Sequence, residues 1–275
     1  MSKALRRPIV LMAAAGAALL SAIAAASAGE CPGKTALGTF RTLAVGVNET
    51  PRVGLKEFPT TLPLADKEVV LTFDDGPFPP TTRRVLLALA DQCVRATFFL
   101  IGQNAAHNTD LVRKIVADGH SIGHHSWSHR ILGRIPQGAA AQEVDRGITA
   151  VEEITGKPRA LGTVGQSGAM IEPTRFFRFP GFVSTPRLLD ELNGRNMVIF
   201  GADLWASDWN KMTPDQELSQ IIGRLKAARK GIILFHDIKA QTAAMLPSFL
   251  RFLKDNGYHV VQVVPSGTVQ ADSGK

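Results

Sequence analysis

From residue 66 onward the chain alternates between short runs of β-formers and longer amphipathic stretches. "EVVLTF" is rich in β-branched residues and predicts a strand. "PTTRRVLLALADQ" follows, with Pro80 at its start and apolar residues recurring at three and four, the mark of a helix. The alternation continues with "VRATFFLIG" as a strand, "TDLVRKIVADG" as a helix ending on Gly119, and "HSIGHHS" as a short strand. "AAAQEVDRGITAVEEITG" is a long helix stopping at Gly156. "RFFRFP" and "MVIF" predict strands, with the helix "TPRLLDELNGR" between them. "TPDQELSQIIGRLKAARK" reads as a helix capped by Thr213, with Pro214 first inside and Glu217 late in the first turn. "GIILF" predicts a buried strand, "AQTAAMLPSFLRFLKDNG" a helix interrupted near Pro247, and "HVVQVV" a last strand.

Strands separated by helices of this length imply βα units and a parallel sheet. Roughly seven such units in about 200 residues predict an α/β fold of one domain, a barrel slightly smaller than the eight-fold (β/α) type. Residues 29–65, with glycines, prolines and the strand-like "RTLAVGV", read as an N-terminal arm or an edge hairpin, and 266–275 as a C-terminal tail.

The first 28 residues stand apart. "MSKALRRP" carries three positive charges and no acid, a long uncharged apolar run follows, and Ala26-Ser27-Ala28 is a small-x-small cleavage pattern. This predicts a signal peptide cut near Ala28–Gly29 and a secreted or periplasmic protein; a retained anchor is the alternative. The net charge of +7 includes Lys3, Arg6 and Arg7, so the mature chain carries +4. Its remaining basic residues are scattered and not interleaved with aromatics, which argues against a nucleic-acid partner. Mild basicity suits an acidic envelope polymer. The two cysteines, Cys31 and Cys93, would meet an oxidising compartment, where a disulfide between them ties the arm to the domain.

The polar residues that carry chemistry fall at one kind of place. Asp74 and Asp75 follow the first strand, His125 and His129 another, Arg178 lies near the end of a third, and His236 and Asp237 follow "GIILF". In a parallel α/β barrel the C-terminal strand ends build the active site. Two imidazoles and one carboxylate make a zinc-type catalytic site with open positions, and His124 is an alternative ligand.

"TFDDGP", "HSWSH", "RFP", "SDW" and "LFH", in that order, resemble the polysaccharide deacetylases of the NodB-homology type, carbohydrate esterases of family 4. The resemblance covers roughly residues 66–265. It implies a distorted (β/α)7-type barrel and a divalent cofactor, zinc by default and cobalt as a second candidate. It matches Asp74 to the general base, Asp75, His125 and His129 to the metal ligands, and Arg178 to the arginine that pairs with and aims the base. His236 matches the general acid and Asp208 its carboxylate partner, whereas Asp237 also reads as a helix cap. The Gly181 backbone N–H matches an oxyanion donor, and Trp209 and Leu234 match the walls of the acetyl pocket.

Three departures touch the groove: Gly181 where an aromatic is usual, with Phe182 as substitute; Ala202 where tryptophan is common, with Trp205 as substitute; and His124 in place of asparagine. The expected activity is removal of N-acetyl groups from an extracellular polysaccharide of peptidoglycan or chitin type. The alternatives are an O-acetyl esterase on a xylan-like polymer, a small-molecule amidase, and a glycan-binding barrel without turnover. The partner would be the N-acetylated polymer, with no stable membrane insertion after leader removal and a monomeric chain.

Overall fold

In the computed structural model the described residues are 35–156 and 174–266. They lie in one compact unit, Cys31–Lys275. The predicted leader, Cys31 and most of the tail lie outside the described residues. Cys93 is not a free thiol, and its pairing with Cys31 stays an expectation. Among the described residues no helix is long and apolar enough to cross a membrane.

Ten strands and seven helices follow in the order β1 (Thr39–Val45), β2 (Arg52–Val53), β3 (Glu68–Asp74), α1 (Thr81–Asp91), β4 (Thr97–Leu100), α2 (Gly102–His107), α3 (Thr109–Ala117), β5 (Ser121–His124), α4 (Gln137–Thr155), β6 (Phe176–Phe177), α5 (Pro186–Gly194), β7 (Val198–Phe200), β8 (Leu204–Trp205), α6 (Pro214–Ala228), β9 (Gly231–His236), α7 (Ala240–Asp255) and β10 (His259–Pro265) among the described residues. Every strand pair is parallel. The barrel runs β8-β9-β3-β4-β5-β6-β7. One edge of β3 pairs with β9 along Val69–Asp74. The other pairs with β10 at Glu68–Val69 and with β4 from Thr72 onward.

The seven-strand expectation is met with a different membership. Leu204–Trp205 enters the ring as a strand too short for any periodicity to reveal, while β10 carries β1 beside it. The arm is no hairpin: β1 pairs in parallel with β10, and β2 with β7. Some of its contacts are with partners over a hundred residues away, such as the Arg52 guanidinium on Asp190 and Asn193. The last helix is continuous through Pro247. Its buried face of Leu246, Phe249, Leu250 and Leu253 holds it against the sheet despite the lost backbone donor. The Thr213 cap is present, but the residue that answers it is Gln216, not Glu217.

Period-two alternation sorts β3 into two faces. Val69, Leu71 and Phe73 pack with the helix residues of the largest core cluster. Val70 joins the inner cluster with Phe99, Phe176 and Phe200, so Thr72 and Asp74 share its side. The same rule in β9 puts Ile233 and Phe235 towards the helices, leaving Leu234 and His236 inside.

His120, at the entrance to β5, is 8% exposed and its Nδ1 accepts the Ala96 backbone N–H. Burial pushes it down to about 4. Because the unfolded chain binds this proton below about 6.5 and the fold does not, its neutrality stabilises above that pH and the contribution disappears as pH falls towards 4. Denaturant titrations at several pH values should show His120→Asn losing less stability over that interval than the wild type, by on the order of 3 kcal/mol. Parallel curves for the two proteins would contradict the assignment.

Candidate active site

The two adjacent acids at the end of β3 leave in different directions because the backbone changes hand between them. Asp74 is the last extended residue and is 3% exposed. Asp75 has φ of +76°, a conformation that turns its carboxylate out of the strand's alternation. Asn104 Nδ2 donates to the Asp75 carbonyl at 2.7 Å and keeps that turn in place. His129 (φ +62°) and Ser126 (φ +61°) repeat the strained conformation after β5, where His129 N–H donates to Ser126 Oγ. Three non-glycine residues held this way at one barrel mouth mark a geometry imposed by the surrounding fold.

Asp75, His125 and His129 each offer one ligand atom, all within 4.8 Å of one another. Asp75 Oδ1 lies 3.5 Å from His125 Nε2 and 3.3 Å from His129 Nε2, and is buried without a hydrogen-bond partner. His125 Nδ1 sits 2.7 Å from the Arg178 carbonyl, an acceptor only, so Nδ1 carries the proton and Nε2 turns its lone pair to the cluster. Burial pushes His125 down, against the pull of Asp74 and Asp75, which favours the neutral form that a metal requires. An orphaned carboxylate oxygen facing two imidazole nitrogens fits a divalent cation.

Arg178 is fully buried inside the barrel. Its Nη1 donates to Asp74 Oδ1 at 2.7 Å and Thr72 Oγ1 at 2.8 Å, its Nη2 to the Gly201 carbonyl at 2.7 Å, and its Cζ lies 4.2 Å from the Phe99 ring centroid. Asp74 Oδ1 is thereby engaged, and Oδ2 remains on the cavity side, 3.8 Å from His125 Nε2. Glu57, from the arm, is the other acid near this guanidinium. Burial pushes it up to about 8, against Arg178 and Lys56, and it is Asp74 that makes the direct 2.7 Å contact with the guanidinium.

At the end of β9, His236 Nδ1 is 2.7 Å from Asp208 Oδ1, and the second oxygen of Asp208 accepts the His236 backbone N–H at 2.7 Å. Burial alone would lower this imidazole. The hydrogen bond and charge of Asp208, with Asp74 and Asp75, raise it to about 9. Nε2 is then the proton presented to the cavity. Asp237, the competing carboxylate, is no cap: α7 starts from Lys239 without a side-chain cap. It accepts from Thr82 Oγ1 beneath the turn, and burial pushes it up to about 7.

Asp74, Asp75, His125, His129 and His236 line a cavity of ≈ 370 Å³ together with Gly181, Phe182, Trp205, Trp209 and Leu234. Trp209 is 50% exposed and stands edge-on to His236, a wall and not core packing. Phe182 and Trp205 line the same cavity. His124 is fully buried on the other face of β5 and outside the triad. A larger cavity of ≈ 760 Å³ near β1 and the arm has only Glu49 and Arg52 as ionisable lining. Thr72, Lys56 and Glu57 were not foreseen. Strand alternation two residues before Asp74 points to Thr72, whereas nothing local marks the two arm residues.

The family model described as polysaccharide deacetylase matches residues 62–166. A peptidoglycan-N-acetylglucosamine deacetylase of Bacillus cereus is 34% identical over 77% of this chain and 75% of its own length. The peptidoglycan-N-acetylmuramic acid deacetylase PdaC of Bacillus subtilis is 28% identical over 72% of this chain, which spans only 38% of that protein. Among solved structures, the Bdellovibrio bacteriovorus peptidoglycan deacetylase Bd3279 is similar with a TM-score of 0.71 and 29% identity, over 85% of this chain and 61% of that one.

Proposed function

The chain belongs to the polysaccharide deacetylase family, and on that premise we propose that it hydrolyses N-acetyl groups of N-acetylglucosamine units in cell-wall peptidoglycan, releasing acetate. The observation that carries this is that Asp74 and His236, paired at the ends of adjacent strands, line one cavity with the Asp75–His125–His129 triad. Zinc is the cation that the donor set suits first, with cobalt second. When bound, it supplies Lewis-acid polarisation of the acetyl carbonyl.

The chain's own groups divide the proton work. Asp74 Oδ2 takes a proton from the attacking water, aimed by the Arg178 bond to Oδ1. His236, charged at neutral pH and held through Nδ1, delivers its Nε2 proton to the leaving amine. The Gly181 N–H is the proposed donor to the developing oxyanion, and Trp209 and Leu234 enclose the acetyl methyl. Residues 1–28 would direct the protein out of the cytoplasm, with residues 66–265 forming the catalytic domain.

Peptidoglycan is favoured over a neutral polymer by Lys56 and Lys239, two ammonium groups bordering the same cavity. Acetate release from peptidoglycan, N-acetylglucosamine oligomers and acetylated xylan tests the reading. Peptidoglycan should lead, and release from xylan alone would replace this function with an esterase. Lys56→Glu should raise KM on peptidoglycan by on the order of fivefold with kcat retained, as befits an exposed charge, and should leave KM on the neutral oligomers unchanged.

A further inference from the structure

Behind the His236–Asp208 pair lies a buried arrangement whose protons do not balance if every acid is ionised. Thr242 Oγ1, on the first turn of α7, is 2.8 Å from Asp208 Oδ2 and 2.9 Å from Glu217 Oε1. Asp208, Glu217 and Thr242 are all 0% exposed. A threonine hydroxyl has one proton, so it can donate to only one of two carboxyl oxygens. The other must donate to it, or two electron-rich oxygens face each other in a dry interior. Asp208 already accepts two N–H bonds from His236, through the backbone and through the ring, so both of its oxygens act as acceptors. Glu217 has no such donors: its Oε2 is buried with no hydrogen-bond partner. The proton therefore falls to Glu217.

We propose that Glu217 is a proton-bearing positioning residue: its neutral carboxyl donates to Thr242 Oγ1, whose hydroxyl donates to Asp208 Oδ2. The relay fixes the carboxylate that orients His236, from a group that never touches substrate. Electrostatics agree with the proton count. Burial pushes Glu217 up to about 7, the charge of Asp208 pushes the same way, and Thr242 and His236 pull it back. An ionised Glu217 would compete with Asp208 for the Thr242 proton and leave Asp208 Oδ2 facing a lone pair.

The kinetic consequence rests on His236 acting as the acid in the reading above, whereas the protonation state does not. Infrared difference spectra of the metal-loaded protein, wild type minus Glu217→Gln at about pH 6, should show the carbonyl band of one protonated carboxylic acid. A difference containing only carboxylate bands overturns the proposal, whether or not the protein turns over. In deacetylation, Thr242→Val should lower kcat by roughly ten- to a hundredfold, the effect of losing a hydrogen bond to a charged group. KM should stay unchanged, and Thr242→Ser should restore most of kcat. Equal losses in Thr242→Val and Thr242→Ser would show that the methyl, and hence packing, is what matters, and would overturn the relay. If acetate release is absent altogether while the acid band is present, the deacetylase reading fails and the proton assignment stands.

Discussion

Asp74→Asn should lower kcat for acetate release by roughly 10²–10⁴ while leaving the metal stoichiometry of the protein unchanged. The amide has the shape of the carboxylate and can still meet Arg178, but it cannot take a proton from water. The cation-binding cluster of Asp75, His125 and His129 does not include Asp74, so the variant should load metal as the wild type does. The stability loss should be moderate. Arg178 keeps Thr72 Oγ1 and the Gly201 carbonyl as acceptors. Glu57, raised in part by the charge of Asp74, becomes easier to ionise once that charge is gone and can partly replace it. Steady-state kinetics with metal analysis on the same sample checks both halves. Activity within tenfold of wild type would remove Asp74 from the role of base.

Arg178→Met should cost about 3–5 kcal/mol of stability, the expected loss when one member of a buried ion pair is removed. The side chain is fully buried, and its loss leaves the carboxylate of Asp74 in the barrel interior without a cation. Activity should fall as well, because Oδ1 of Asp74 loses the bond that aims Oδ2. Arg178→Lys should recover little, since a single ammonium cannot reach Asp74, Thr72 and the Gly201 carbonyl together as the guanidinium fork does. Adding Asp74→Asn to Arg178→Met should return part of the lost stability, as the stranded charge is then removed. Urea denaturation of the metal-loaded proteins measures all three. A loss under about 1 kcal/mol in Arg178→Met would place the pair among those with little net worth.

Much of this site was legible in the chain because strand ends concentrate it. Asp74 and His236 are each the inward last residue of a strand, which period-two patterning in "EVVLTFD" and "GIILFH" is enough to orient, and His125 directly follows β5. The spacing of His125 and His129 suggested a shared ligand, and the chain achieves it by a left-handed turn at His129 that no propensity announces. The arm was the least legible part. Lys56 reaches the cavity, and Glu57 the surroundings of Arg178, because Leu55 N–H and Thr61 Oγ1 bond to Asp203, and Lys56 N–H bonds to the Ala202 carbonyl. Such contacts span about 140 positions in sequence, and neither composition nor periodicity encodes them. Gly54 packs directly against the backbone of Gly201 and Ala202, where any Cβ would collide, so the small residues at these positions let the arm become a wall of the site. Glu217 was illegible for a related reason. It sits late in the first turn of α6, and its carboxyl points inward to Thr242 on the next helix.

The most direct test of the central claim is acetate release from peptidoglycan by the mature protein, first stripped of metal and then given zinc or cobalt. The triad and the two flanking proton carriers predict that release stops on stripping and returns with either cation, and that Asp75→Ala is not restored at the same metal concentration. Undiminished release from the metal-free protein, or full activity in Asp75→Ala, would contradict the assignment of this cavity as a metal-dependent deacetylase site.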